Sequence, residues 1–187
     1  RKSYSDREKF WQLEDLLSRI PIPYQKRSDQ MGARIMHPHL SPENQFVHYV
    51  KGDDFTLPRG EGLKIIINIV DNLGTWRADA LSKRWSKPEK SYREWRVKFP
   101  ALFRLGEIQF VLVDQDLVVV NMVAQIKNIF NYEAFAKCLS KLSRFEGDFS
   151  IHAPIAEISD EGWKKVESLL IKYLICRDIS VTIYDTP

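Results

Sequence analysis

The chain is predicted to fold as a three-layer α/β/α sandwich around a mixed sheet, with a helical extension at its N-terminus. Three observations predict this. Lys64-Ile-Ile-Ile-Asn-Ile-Val70 is a nearly continuous β-branched run, the pattern of a strand covered on both faces. Strand-like and helical patterns alternate from residue 46 onward, which calls for helices on both sides of one sheet. Ile108–Val113 and Leu117–Ala124 flank the short polar turn Asp114-Gln-Asp116 and read as an antiparallel hairpin, so the sheet is mixed.

The elements follow in order. Ser5-Asp6 can cap a helix whose apolar residues Phe10, Leu13, Leu17 and Ile20 recur at three- and four-residue steps, and Pro21 and Pro23 end it. The polar stretch Tyr24–Gln45 reads as an irregular connector, so residues 1–45 form an extension and residues 46–187 the main domain. Phe46–Lys51 is strand-like and Gly52-Asp53-Asp54 turns the chain. After the buried run come helical patterns over Ala78–Trp85 and Pro88–Phe99, then the hairpin. Tyr132–Phe145 has helical periodicity through Phe135, Cys138, Leu139 and Leu142. Phe149–His152 is a short strand. Asp160–Cys176 is a helix with Asp160 as N-cap and Trp163, Val166, Leu169, Leu170, Tyr173 and Leu174 inward, and Ile179–Tyr184 closes as a strand.

Composition narrows the function classes. The longest apolar runs, such as Leu117–Val120, fall far short of the ~20 residues of a spanning helix, so no membrane role is expected. Cys138 and Cys176 both sit in apolar helical patterns and read as buried thiols in a reducing, intracellular compartment, cytoplasmic or nuclear. The opening at Arg1 without a Met, and with no signal-peptide pattern, reads as a segment of something longer. His37, His39, His48 and His152 make no metal spacing with either cysteine, and His37-Pro-His39 reads as a solvated loop. No Ser-His-Asp or Cys-His grouping stands out, so no catalytic residue is named.

Charge is unevenly placed. The segment from Lys83 to Arg104 holds eight basic residues, among them Lys83, Arg84, Lys90, Arg93 and Arg96, against only Glu89 and Glu94. Trp85, Tyr92, Trp95, Phe99 and Phe103 are interleaved with them. Such a mixture can form a nucleic-acid surface. The near-helical spacing of the aromatics favours an amphipathic helix with a solvated basic face and an aromatic core face.

Two stretches follow strand-like runs and lead into helices, where α/β proteins bind ligands. One is Ile69-Val-Asp-Asn-Leu-Gly-Thr-Trp-Arg-Ala-Asp-Ala-Leu-Ser-Lys-Arg-Trp85, and the other is Ile151-His-Ala-Pro-Ile-Ala-Glu-Ile-Ser-Asp-Glu-Gly-Trp163. Backbone closes on a pyrophosphate only where side chains are absent, and both stretches are poor in glycine.

The ordered set of local patterns resembles the macro domain, the ADP-ribose-binding module, over residues 46–185. Tyr49-Val-Lys-Gly-Asp53, Gly74-Thr-Trp76 with Leu81-Ser-Lys-Arg-Trp-Ser-Lys-Pro-Glu89, Leu105-Gly-Glu-Ile-Gln-Phe-Val111, Val120-Asn-Met-Val-Ala-Gln125, Ser150-Ile-His-Ala-Pro154 and Val181-Thr-Ile-Tyr-Asp185 carry the likeness. It is greatest to the branch holding bacterial stand-alone macro proteins, the terminal ADP-ribose glycohydrolase and a SNF2-type remodeller's macro module. The resemblance implies a cleft at the carboxyl ends of the strands. In it Asp53 would accept from the adenine amino group, Asp71 or Asn72 would face the distal ribose, Gly74 and Trp76 would belong to the first loop, and Tyr184 would lie near the adenosine.

The departures from the family pattern are specific. Close relatives run Gly-Trp-Gly-Lys-Gly in the first loop, where this chain has Trp76-Arg77-Ala-Asp79 and is about three residues shorter. The second loop usually reads Pro-Arg-Ile-Gly-Cys-Gly, and here it is Pro154-Ile-Ala-Glu-Ile-Ser159 with Glu157 where bare backbone is needed. The glycohydrolase relative has a Lys at the end of the second hairpin strand, and Gln125 stands there instead. The expectation is therefore a degenerate, non-catalytic macro-like module with impaired ADP-ribose binding and no cofactor, serving a protein partner or the rest of a longer chain. Two alternatives stand beside it: a macro domain that does bind ADP-ribose or another NAD-derived nucleotide, with Arg77, Lys83 or Arg84 replacing backbone donors, and a nucleic-acid binder acting through residues 83–104. Purely structural roles also fit several of these residues: Asp53 is equally a turn residue, Trp76 and Trp85 are core residues, and Asn121 is a satisfied structural amide.

Overall fold

The structure, a computed structural model, describes residues 47–154 and 158–185. The helix expected over residues 5–20, the connector to residue 45, His37-Pro-His39 and Glu157 lie outside the described residues. The strands are β1 (His48–Lys51), β2 (Leu63–Asp71), β3 (Ile108–Asp114), β4 (Leu117–Ile126), β5 (Ile129–Phe130), β6 (Phe149–Pro154) and β7 (Ser180–Asp185). The helices are α1 (Asp79–Arg84), α2 (Lys87–Lys98), α3 (Tyr132–Leu142) and α4 (Asp160–Tyr173).

The sheet order is β1-β7-β6-β2-β4-β3, with β5 paired to β4. β3 and β5 run antiparallel to β4, and every other pairing is parallel. The β-branched run is central for a physical reason. In β2, Ile65 and Ile67 face α3 and α4 while Ile66 and Val70 face α1 and α2, and all four are buried. Each such side chain contributes roughly 1.5–3 kcal/mol of apolar burial, which suits residues without polar atoms on either face of the middle layer.

One side of the sheet is packed by Phe135, Cys138, Leu139 and Leu142 of α3 and Val166 and Leu170 of α4. The other is packed by Leu81 of α1 and Tyr92 and Trp95 of α2. That second layer bears out the amphipathic reading of the basic segment except at Phe99, which is exposed at the end of α2. Tyr92, Trp95 and Phe103 are buried, and Lys83, Arg84, Lys90, Arg93 and Arg96 are exposed.

Several local expectations are corrected. Ser159, in extended conformation, caps α4 by accepting from the Gly162 N–H at 3.2 Å, which moves Asp160 into the first turn. The α-helix ends at Tyr173 and gives way to a 3-10 turn over Ile175–Arg177, closed by Asp178 at φ 61°. The tighter turn points Ile175 inward and Cys176 to solvent, so only Cys138 is a buried thiol. β4 runs two residues beyond Ala124, and the short strand β5 after it was not anticipated.

Two polar devices lie inside the layers. Asn68 and Asn121 are register partners on β2 and β4, and Asn68 Nδ2 donates to Asn121 Oδ1 at 2.8 Å. Asn121 Nδ2 donates in turn to Gln109 Oε1 and the Pro88 carbonyl, and Gln109 Nε2 to the Ser91 carbonyl. Asn121 is thus a satisfied structural amide that ties three strands to α2. Lys64, at the start of β2, is buried with its ammonium donating to the Gly60 and Gly62 carbonyls and to Asp116.

Candidate functional site

A cleft of about 610 Å³ opens at the carboxyl ends of β2, β4, β6 and β7. Its floor is apolar, with Ile67, Ile69, Phe135, Val166 and Ile183, and Phe55, Phe130 and Trp163 add aromatic walls. Polar groups enter from Asn68, Gln125 and Asn128. Arg77 and Asp79, at the start of α1, supply the charged side chains among the described lining residues. The volume and the balance of apolar walls with few polar groups suit a small-molecule site.

The first loop is shaped from beneath by Asp71. Its Oδ1 accepts from the N–H groups of Leu73, Gly74 and Thr75 at 2.9, 2.9 and 3.0 Å. The Tyr92 hydroxyl adds a donor at 3.0 Å to Oδ1 and at 2.9 Å to the Asp71 carbonyl. Burial pushes the Asp71 carboxyl up, but the backbone N–H groups of Leu73 and Thr75 and the Tyr92 hydroxyl outweigh it and hold the group below the ordinary Asp value. Burial, together with the charge of Asp71, pushes the Tyr92 phenol above its ordinary value. Asp71 is buried; its Oδ1 serves the loop, and its Oδ2 is buried without a hydrogen-bond partner among the described residues. Gly74 takes φ 87°, with the Arg96 side chain lying against it. Asn72 links this loop to the β4–β5 hairpin, donating its N–H to the Gln125 carbonyl and accepting at Oδ1 from the Lys127 N–H.

Asp53 and Tyr184 meet at another corner. The Gly52 N–H donates to the Asp185 carbonyl at 3.2 Å, which brings the turn after β1 against the end of β7. Asp53 faces Arg59 at 3.9 Å. Tyr184 is buried and its hydroxyl is bonded to His152 Nδ1 at 2.9 Å, while His152 Nε2 is bonded to Ser150 Oγ at 2.8 Å. Burial, then the nearby Lys64 charge, lowers the His152 pKa to about 4. Burial, then Asp53, raises that of Tyr184.

Trp76 lies between the two helices of its layer. Its indole N–H donates to Ser82 Oγ at 2.6 Å, Ser82 donates to Glu89 at 3.0 Å, and its ring packs on Tyr92. Asp53, Asp71, Asn72, Gly74, Trp76 and Tyr184 are therefore split between the loop after β2 and the β1–β7 corner. None of the six is among the described residues that line the cleft. Phe55, Asn128, Phe130 and Trp163 line it without having been anticipated as site residues. Trp163 carried one signal, an aromatic in the first turn of a helix after a strand. It is oriented by an indole N–H to Tyr49 Oη at 2.9 Å, and Tyr49 donates to Glu167 at 2.8 Å.

Neither family models nor curated proteins give a match to the chain. Solved structures do. A macrodomain protein from Streptomyces coelicolor is 34% identical with a TM-score of 0.68, over 74% of this chain and 98% of that one. This chain belongs to the macrodomain family. A Bacteroides thetaiotaomicron protein of unknown function is 36% identical with a TM-score of 0.67, over 74% of this chain and 97% of that one. Thermosipho africanus DarTG, solved in complex with ADP-ribose, is 14% identical over 75% of this chain and 42% of that one; at a TM-score of 0.53 the likeness is one of fold. The Streptomyces and Bacteroides relatives are matched along nearly their whole length, so about a quarter of this macrodomain chain has no counterpart in them. Among the described residues no three His, Cys, Asp or Glu side chains gather as metal ligands, and no helix is long and apolar enough to cross a membrane.

Proposed function

We propose that this macrodomain is a non-catalytic interaction module whose cleft holds ADP-ribose weakly, with the phosphate grip lost. The observation that carries the reading is the cleft wall from Arg77 to Ala80, where side chains, one of them the Asp79 carboxylate, stand where a diphosphate needs bare amides. The amides of Leu73, Gly74 and Thr75, in the loop before this wall, are already bonded to the Asp71 carboxylate. Gln125 supports the non-catalytic part of the reading. A carboxamide at the cleft edge neither ionises nor attacks, where the glycohydrolase relative carries a lysine. Residues 1–45 would then serve as the extension that joins residues 46–187 to a protein partner or to the rest of a longer chain.

The openness of the cleft favours a second reading, a macrodomain that binds ADP-ribose or a related nucleotide. In it the adenosine would extend from the cleft to the β1–β7 corner of Asp53 and Tyr184, and Arg77 compensates for the missing backbone donors by charge. Calorimetric titration of ADP-ribose into the protein and into Asp79→Asn separates the two. The first reading expects affinity far weaker than micromolar, improving several-fold when the carboxylate is neutralised. Micromolar binding that Asp79→Asn leaves unchanged supports the second. Release of ADP-ribose from a modified peptide at a rate above the buffer control would overturn the non-catalytic assignment.

A further inference from the structure

The outer surface of α1 and α2 concentrates positive charge, and none of its basic residues from 83 to 104 is among the described residues that line the cleft. Every basic residue from Lys83 to Arg104 is exposed, while the chain as a whole carries only +3. The two acids of the segment are neutralised locally: Glu89 by Arg93 at 2.8 Å and Glu94 by Lys98 at 3.1 Å. Lys83, Lys90 and Arg96 have no ion-pair partner among the described residues, and Arg84 lies over the Trp85 ring at 5.5 Å. The Trp76–Ser82–Glu89 hydrogen bonds hold α1 beside α2, so cations from both helices share one surface. Along α2, Lys90 and Arg96 are about 9 Å apart in axial rise, the scale of one to two phosphate spacings.

We propose that Lys83, Arg84, Lys90 and Arg96, with Arg93 beside them, form a docking surface for the phosphate backbone of a nucleic acid. Charge complementarity selects a polyanion. Tyr92 and Trp95 of α2 are packed into the core, so these two rings are unavailable for base stacking or for insertion into a lipid surface, and phosphate contacts dominate over stacking. Binding is therefore sequence-independent, salt-sensitive and separate from any ligand in the cleft.

The test is fluorescence anisotropy of a labelled 30-nucleotide single-stranded DNA of mixed sequence with the full chain, across a salt series. Each phosphate contact contributes about 0.7 to the log–log salt slope, so three to four contacts give a slope of roughly −2 to −3. Lys83→Gln/Lys90→Gln should reduce that slope by about 1.4 and weaken binding at least tenfold at about 50 mM salt, by counterion release at two contacts. Both side chains are exposed, so the thermal unfolding curve should not move, which keeps the comparison interpretable. Absence of binding at low salt, or binding indifferent to the double substitution, overturns the proposal. Displacement of the DNA by polyglutamate at equal charge concentration overturns it in favour of an acidic polypeptide partner.

Discussion

The Tyr92 hydroxyl donates to Asp71 at 3.0 Å, bridging the exposed basic helix and the loop at the cleft from a position 21 residues away in sequence. The same carboxylate oxygen takes the three successive amides of the loop. The shape of the first loop is thus fixed from below by two buried side chains. Tyr92→Phe keeps the ring and removes the hydroxyl, and should lower stability by about 1–2 kcal/mol in urea unfolding, between the scales of hydrogen bonds to neutral and to charged acceptors, since the hydroxyl is shared between the Asp71 carbonyl and carboxylate. Asp71→Ala strips the three loop amides of their acceptor, while the Tyr92 hydroxyl keeps the Asp71 carbonyl, and should cost more, about 3 kcal/mol. Equal effects of the two variants would mean that the amide bonds of the loop contribute little.

Gly74 should resist a side chain for reasons of backbone and not of space. At φ 87° an L-residue is strained, and an added Cβ would also come within 2.5 Å of Arg96 Cδ. Gly74→Ala should cost about 1–2 kcal/mol. Adding Arg96→Ala should recover little of it, because moving a flexible arginine does not change φ. Full recovery in the double variant would place the cost in crowding instead.

His152 sets an acid sensitivity whose sign follows from burial. Its pKa is about 4 in the folded protein against 6.5 for the free side chain, so the unfolded chain binds the proton first as pH falls. This contribution to stability is fully present above pH 6.5, declines down to pH 4 and is constant below. Over that window it amounts to roughly 3 kcal/mol. Urea midpoints measured across the range should fall accordingly, and His152→Gln should flatten the dependence. Its neighbours are Ser150, Tyr184 and Lys64, none of which titrates there in the free side chain.

The Asn68–Asn121 pair can be tested as a unit. Asn121→Leu leaves Asn68 Nδ2, Gln109 Oε1 and the Pro88 carbonyl short of partners and should destabilise by about 3 kcal/mol. In a double-mutant cycle with Asn68→Val the coupling should be about 1 kcal/mol or more, since the second substitution removes one orphaned donor. Additive effects would show that the two amides act separately.

Much of the fold was legible because its signals are local. The β-branched run of β2 needs both faces covered, the hairpin is written in two apolar runs around Asp114-Gln-Asp116, and α2 shows its aromatic side at helical spacing. What escaped were features decided by tertiary packing. β5 is two residues long and exists because it pairs with the extended end of β4. Cys176 faces solvent because α4 tightens into a 3-10 turn before it. The cleft was least legible of all. Phe55, Gln125, Phe130 and Trp163 come from four separate segments, and nothing in the sequence around Phe55 or Phe130 says that they share a wall. Asp71 looked like a ligand contact because its partner Tyr92 is distant in sequence.

On the proposed function, the cleft keeps room for a nucleoside and has lost its hold on the diphosphate. Comparing adenosine with ADP-ribose by calorimetry tests it directly, because the second ligand differs by the diphosphate and the distal ribose. These additions are expected to gain less than tenfold in affinity, with ADP-ribose remaining far weaker than micromolar. A gain of a hundredfold or more, reaching micromolar affinity and abolished by Asp53→Ala, would contradict it and establish a working ADP-ribose site.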